Sequence, residues 1–294
     1  MYLVIGANGF LGSYVLKNIL ENTSDTIIAT ARNIENVISN NRIKWFSCDI
    51  SDFSQVDSLS AFAADKGELK VIYLAAYHNP DLVEKNPRIA WSINITALSY
   101  FLNKIENIKC LFYPSTDSVY GESKGNYHFK ETDSLSPVNT YGKQKVLAEK
   151  IITGYGYNVV RYPFLIAPSL SPKKKHFYDF IVTELSMGKA VEMFEDSLRS
   201  TISFNQAAEM LVRLIENYSD SIPQVLNISG DEDLSKYDVG IRIACKLGIP
   251  CEKIIPISVH AGEKIFQAKR AASTLMDNSL IKQLLNQKEI KLEL

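Results

Sequence analysis

Tyr141 and Lys145 are one pair in this 294-residue chain whose types and spacing could do chemistry. In Tyr141-Gly142-Lys143-Gln144-Lys145 the phenol and the ammonium stand four residues apart, which places both on one face of a helix. A phenol near its reference pKa of about 10 is a poor base and a slow acid at neutral pH, whereas a neighbouring ammonium favours the phenolate and lowers that pKa. The pair is therefore a candidate proton-transfer device. Among 15 tyrosines, such a spacing also arises by chance on surface helices. The strongest local signal is Gly6-Ala7-Asn8-Gly9-Phe10-Leu11-Gly12, which follows the apolar run Leu3-Val4-Ile5 and opens an apolar helix. A glycine turn in that place lets backbone N–H groups approach a pyrophosphate, and the helix N-terminus adds partial positive charge. The spacing is G-x-x-G-x-x-G, and a tight turn with close helix–strand packing would use the same glycines. Further on, Ile28-Ala29-Thr30-Ala31-Arg32-Asn33 offers no acid for ribose hydroxyls. Arg32 with Thr30 suits a 2′-phosphate, which favours NADP(H) and leaves NAD(H) possible. The alternative is that Arg32 caps a solvated loop.

The elements that must hold these residues follow from the periodicity. Short apolar runs (Met1–Ile5, Thr26–Thr30, Ile43–Ser47, Val71–Ala75, Cys110–Tyr113, Val159–Arg161) alternate with segments of helical period (Leu11–Leu20, Phe53–Ala64, Asp81–Ile105, Gln144–Ile152). Parallel strands need crossover helices, so the alternation predicts an α/β fold with a doubly wound parallel sheet of the Rossmann type over residues 1–165. A smaller α/β region, 166–294, is expected to bind substrate. There the spacing predicts helices at Tyr178–Met187, Gln206–Asn217 and Lys236–Leu247, and strands at Val191–Phe194 and Val225–Ile228. Lys173–Lys175 with His176 reads either as a lid touching phosphates or as solvated surface.

Composition narrows the class. Lys+Arg 32 against Asp+Glu 33 leaves a net charge of −1, without the basic excess that holds a nucleic-acid backbone. No apolar run reaches the roughly 18 residues of a membrane span, and no basic leader precedes Met1–Ile5, so the expectation is a cytoplasmic protein with neither nucleic acid nor membrane as partner. Cys48, Cys110, Cys245 and Cys251 lack zinc or redox spacings, and His78, His128, His176 and His260 lie far apart, so no metal site is expected.

In order and spacing, these motifs resemble the extended short-chain dehydrogenase/reductases, the NAD-dependent epimerase/dehydratase family. By that resemblance Gly6, Asn8, Gly9, Phe10, Leu11, Gly12 and Arg32 bind the cofactor. Asp49 and Ile50 look like the family's adenine-contacting pair, and Leu74-Ala75-Ala76 like its turn beneath the cofactor. Phe164 would line the nicotinamide pocket. Asn94 resembles the helix asparagine that supports a proton-relay water. Ser115-Thr116-Asp117-Ser118 resembles the segment that sets a hydroxyl, here Thr116, beside the catalytic tyrosine. Thr116, Tyr141, Lys145 and Asn94 are thus the implied catalytic set, with Tyr141 and Lys145 also on the cofactor. His78, Thr116, Asp117 and Arg199 are the implied substrate contacts. Arg199, in Arg199-Ser200-Thr201-Ile202, looks like the family's Arg-x-x-Ile patch and would pair with a substrate diphosphate.

Stretches such as Ala75-Ala76-Tyr77, Asp81–Pro87 and Ala90–Asn94 are similar to those of the dTDP-4-dehydrorhamnose reductases. Dehydratase relatives carry Thr-Asp-Glu where this chain has Thr116-Asp117-Ser118, which removes a proton-transfer group and disfavours dehydration. The resemblance implies an NADPH-dependent reduction of a keto group on a nucleotide-activated sugar, of the dTDP-4-keto-6-deoxyhexose kind. The alternatives are a sugar-nucleotide epimerase with tightly bound NAD, and a non-catalytic dinucleotide-binding regulatory subunit. The family further implies a possible homodimer, and a return of Val225–Ile228 to the cofactor-binding sheet.

Overall fold

The computed structural model of the chain describes residues 1–35, 37–171, 174–259 and 266–294; Lys173 and His260 lie outside them. Strands β1 (Tyr2–Ile5), β2 (Ile27–Ala31), β3 (Ile43–Ser47), β4 (Leu69–Tyr73), β5 (Ile108–Thr116), β6 (Asn158–Tyr162) and β7 (Val225–Asn227) form one sheet. Their order is β7-β6-β5-β4-β1-β2-β3, and every neighbouring pair is parallel. The order reverses at β1 and β4, where the connections leave in opposite directions and open a crevice at the carboxyl ends of the strands.

Helices α1 (Phe10–Asn22), α2 (Phe53–Ala63), α3 (Leu98–Lys104), α4 (Thr140–Gly154), α5 (Phe177–Ser186), α6 (Phe204–Glu216) and α7 (Lys236–Lys246) supply most of the covering layers. The period-2 alternation of β1 shows why both faces need cover. Tyr2 and Val4 enter one core with Val15, Leu16 and Ile19 of α1 and Ala207, Leu211 and Leu214 of α6. Leu3 and Ile5 enter the other with Val56 and Leu59 of α2, Leu98 and Phe101 of α3, and Ala148 and Ile152 of α4. Each such buried aliphatic chain contributes about 1.5–3 kcal/mol relative to exposure, so packing holds the helices in place. Among the described residues no helix is long and apolar enough to cross a membrane.

Two segments differ from the periodicity reading. Asp81–Ile105 is not one helix: Pro80–Lys85 ends at Asn86, Pro87–Trp91 restarts, and a π-helical turn, Ser92–Ala97, leads into α3. Proline restricts the residue before it, and Asn86 accordingly sits off the helical region at φ −129°, ψ 60°. The region after residue 165 is also more ordered than its sequence suggests. β7 lies at the edge of the main sheet beside β6. Val191–Phe194 pairs in parallel with Ile254–Ile257, and with α5 and α7 it encloses a separate apolar cluster around Ile181, Met193, Val239, Ile243 and Ile254. Pro256 hides that second strand in the sequence, because proline is admitted only at sheet edges.

Candidate active site

The glycine turn lies between β1 and α1. A Cβ at Gly12 would stand 2.5 Å from the carbonyl oxygen of Ala7, so glycine there lets α1 start tight against the strand end. α1 begins without a side-chain cap and without an acid in its first turn, which leaves its first N–H groups for an anion. Asn8 donates through Nδ2 to the Asn33 carbonyl at 3.2 Å, tying the turn to the end of β2. Leu74, Ala75 and Ala76 follow β4 on the other side of the crevice, and Ile50 is buried beyond β3 with Asp49 half-buried beside it. Arg32 is exposed. Thr30 is not free to join it, because its side chain is buried and its Oγ1 accepts from the Gly6 N–H at 3.2 Å. A second cation, Lys174, donates to the Asn8 carbonyl, and burial together with the nearby Arg32 pushes its pKa down. Lys174 thus reaches over the glycine turn, while His176 packs edge-on against Phe10 with ring centroids 4.8 Å apart.

Tyr141 is set by the start of α4. Asn139 caps the helix by accepting from the Gly142 N–H at 2.9 Å. A Cβ at Gly142 would meet the Ser118 carbonyl oxygen and Pro137 Cβ, both at 2.7 Å, so only glycine brings this helix against the Ser118 turn, and with it Tyr141 against Thr116. Thr116 donates to Asp117 Oδ1 at 2.9 Å. Burial and the nearby Asp117 push the Tyr141 phenol up, and a hydrogen bond with Thr116 opposes them. Lys145 does not lower it as its spacing suggests. Its ammonium turns to β5 and donates to Tyr113 Oη and the Pro114 carbonyl, both at 2.9 Å. Burial pushes Lys145 down to about 7, with Glu149 working against that fall.

Asn94 sits on the π-helical turn and is buried. Its amide is fully engaged: Oδ1 accepts from the Tyr77 N–H at 2.8 Å, and Nδ2 donates to the Tyr77 carbonyl at 3.1 Å and to Gln144 Oε1 at 2.9 Å. It therefore clamps the segment after β4 to α4. Behind Lys145, Glu149 receives Arg161 Nη2 at 2.6 Å and Ser115 Oγ at 2.5 Å in a buried cluster.

His78, Thr116, Asp117, Tyr141, Phe164 and Arg199 all line one cavity of about 450 Å³. Arg199 differs from its expected role as a free partner for a diphosphate. Its Nε lies 3.1 Å from Asp117 Oδ2, and its terminal nitrogens donate to the carbonyls of Leu198, Ala271 and Ala272. Burial raises the Asp117 pKa and Arg199 opposes the rise. The same wall carries two cations that the sequence reading missed, Lys236 and Arg270. The only local signal for Lys236 is the capping box Ser235–Asp238, which marks a helix start but not a cavity.

A doubly wound parallel sheet with a glycine turn at its switch point and a Tyr-x-x-x-Lys helix defines an extended short-chain dehydrogenase/reductase. Within that class the chain belongs to the family described as RmlD substrate binding domain, which matches residues 1–293. It is similar to Methionine adenosyltransferase 2 subunit beta of Mus musculus, with 25% identity over 287 residues, 96% of this chain and 81% of the relative. Among solved structures it resembles dTDP-4-dehydrorhamnose reductase from Bacillus anthracis in complex with NADP, with a TM-score of 0.77 and 19% identity over 98% of this chain and 94% of the other. It also resembles UDP-glucuronic acid 4-epimerase from Bacillus cereus in complex with UDP-glucuronic acid and NAD, with a TM-score of 0.81 and 21% identity over 99% and 94%. At these identities the structural likeness establishes the fold.

Proposed function

We propose that this chain is an NADP(H)-dependent reductase of a keto group on a nucleotide-activated sugar, with a dTDP-4-keto-6-deoxyhexose as the substrate class. The observation that carries the reading is the convergence of Thr116, Tyr141, Asp117 and Arg199 on one cavity beside the strand ends that bear the glycine turn. The uncapped start of α1 fits a pyrophosphate. The exposed Arg32 beside Lys174 fits a 2′-phosphate. Gly6, Gly9, Gly12, Leu74, Ala75, Ala76 and Phe164 would hold the rest of the dinucleotide, with Asp49 and Ile50 at its adenine. When bound, the dinucleotide supplies hydride.

Tyr141 is the acid. Its raised pKa keeps the phenol protonated at neutral pH, which suits donation to an alkoxide developing on the sugar. Thr116 orients the carbonyl oxygen by turning its single hydroxyl proton to it from Asp117 Oδ1, the acceptor that holds it at 2.9 Å in the structure. Lys145 anchors the nicotinamide ribose, and Asn94 holds the floor of the site. His78 contacts the sugar from the cavity wall.

A second reading, transient oxidation and re-reduction in an epimerase, draws on the Bacillus cereus likeness. A third, a dinucleotide-binding subunit, draws on the mouse relative. The test is NADPH and NADH oxidation at matched concentrations with dTDP-, UDP- and GDP-keto sugars. Oxidation with a dTDP-keto sugar and a preference for NADPH is expected. Copurifying NAD with no net consumption would favour the epimerase, and dinucleotide binding with no turnover the subunit.

A further inference from the structure

Among the described residues three cations line the cavity, and two of them are answered. Arg199 faces Asp117, and Arg270 Nη2 lies 2.6 Å from Asp81 Oδ2. Among the described residues Lys236 faces no carboxylate. Its ammonium stands 5.1, 5.7 and 5.9 Å from the ring centroids of Phe177, Phe164 and Phe194, and among the described residues nothing accepts a hydrogen bond from it. Ring faces attract a cation, but they offer poor acceptors to three N–H donors. A largely desolvated charge without an acceptor is costly, and the usual remedy is a partner that brings the opposite charge. Ser235 and Asp238 pin the backbone by capping α7, Ser235 Oγ accepting from the Asp238 N–H at 3.0 Å, so the ammonium is held at the cavity wall.

We propose that Lys236, caged by Phe164, Phe177 and Phe194, is an anion-binding residue of this cavity that receives an oxyanion of the substrate. The inference rests on the reading of the cavity as the substrate site and adds a residue to it. Burial, with Arg199 and Arg270 nearby, pushes Lys236 down to about 8, the direction a cation takes when no anion answers it. The oxyanion is a phosphate of the nucleoside diphosphate or a carboxylate on the sugar, and both offer the same charge-assisted hydrogen bond.

Calorimetric titration separates these sources. Wild type, Lys236→Met and Lys236→Arg are titrated with inorganic pyrophosphate, dTDP, UDP-glucose and UDP-glucuronate, and with NADP⁺ as a control on folding and on the dinucleotide site. Lys236→Met is expected to weaken oxyanion binding about 10- to 100-fold, the size of a charge-assisted hydrogen bond in a partly dry site, and to leave NADP⁺ affinity unchanged. Lys236→Arg is expected to keep affinity within a few-fold. Loss with pyrophosphate and dTDP identifies a phosphate; loss confined to UDP-glucuronate identifies a carboxylate. Equal affinities in wild type and Lys236→Met for every probe overturn the inference, as does wild type that binds none of the oxyanions. The dinucleotide reading is judged separately by the NADP⁺ arm.

Discussion

Glu149 links the stability of this fold to the charge state of its catalytic helix, and Glu149→Gln tests both. The Glu149 and Arg161 side chains are each only 4% exposed. The carboxylate receives Arg161 Nη2 at 2.6 Å, Nε at 3.1 and 3.2 Å, and Ser115 Oγ at 2.5 Å. On its other side Arg161 donates to Tyr120 Oη at 2.7 Å. Glutamine keeps the shape but turns an N–H₂ group toward a guanidinium that has only donors, and it leaves that cation buried without a counter-charge. Breaking a buried pair in this way costs about 3–5 kcal/mol. For a chain of this size that is a fall in Tm of roughly 6–10 °C. The second effect runs along α4: Glu149 is the group that opposes the depression of Lys145, so its neutralisation moves the Lys145 pKa further below about 7. Urea unfolding with linear extrapolation reads the first effect, and the pH dependence of dinucleotide affinity reads the second. A stability loss below about 1 kcal/mol would refute the assignment of an uncompensated buried charge. A Glu149→Leu/Arg161→Met double variant is expected to recover most of the loss, because it removes both charges together.

Three further outcomes follow from the same geometry. Tyr141→Phe should lower ketone reduction about 100- to 10,000-fold while NADP⁺ affinity holds within about two-fold; steady-state assay beside calorimetry separates the two, and a near-wild-type rate removes Tyr141 from the proton transfer. Gly12→Ala puts a methyl 2.5 Å from a backbone oxygen and should cost about 1–3 kcal/mol of stability together with dinucleotide affinity, read by thermal unfolding with and without NADP⁺. Lys145 is depressed in the folded state to about 7 from an ordinary value of about 10.4, so between those pH values the unfolded chain binds more protons. Stability therefore rises with pH across that window, and the cost of burying the ammonium is fully present below it. Between pH 7 and 9 wild type should gain about 2 kcal/mol more than Lys145→Met, measured by urea unfolding at each pH.

The sequence makes legible whatever is local. The glycine turn and the Tyr141–Lys145 pair are each contained in fewer than about ten residues, and the strand–helix alternation repeats a local period along the chain, so periodicity and turn chemistry suffice to read them. The cavity is assembled differently. Thr116 and Asp117 come from the end of β5, Arg199 from a short strand after the Val191–Phe194 edge, and Lys236 from α7, while Arg270 belongs to a segment without regular structure. No local pattern states that these positions meet, since tertiary contact between separate elements brings them together. The same limit governs Lys145: helical spacing places it on the face of Tyr141, but acceptors on β5, Tyr113 Oη and the Pro114 carbonyl, decide where the ammonium points. Spacing fixes the face of a side chain and leaves its direction to its partners.

The choice between an enzyme and a binding subunit turns on what each would require of the buried polar groups. A subunit that only holds a dinucleotide needs the glycine turn, the α1 N-terminus and an apolar seat. It has no use for an Asp117–Arg199 pair at a cavity wall or a threonine hydroxyl tied to that aspartate. Such groups oppose stability, and replacing a buried ion pair with well-packed apolar residues is often neutral or stabilising by about 1–4 kcal/mol. A scaffold that stations several of them around one cavity is holding stability below its optimum at the place where proton transfer would occur. If the chain is a binding subunit, Tyr141→Phe, which removes a buried phenol hydroxyl and leaves the Thr116 cap of the Ser118 turn in place, should hold its Tm and leave its dinucleotide affinity intact, with no activity to lose. If it is the proposed reductase, the same variant should hold its stability and lose turnover about 100- to 10,000-fold, and that difference in turnover distinguishes the readings.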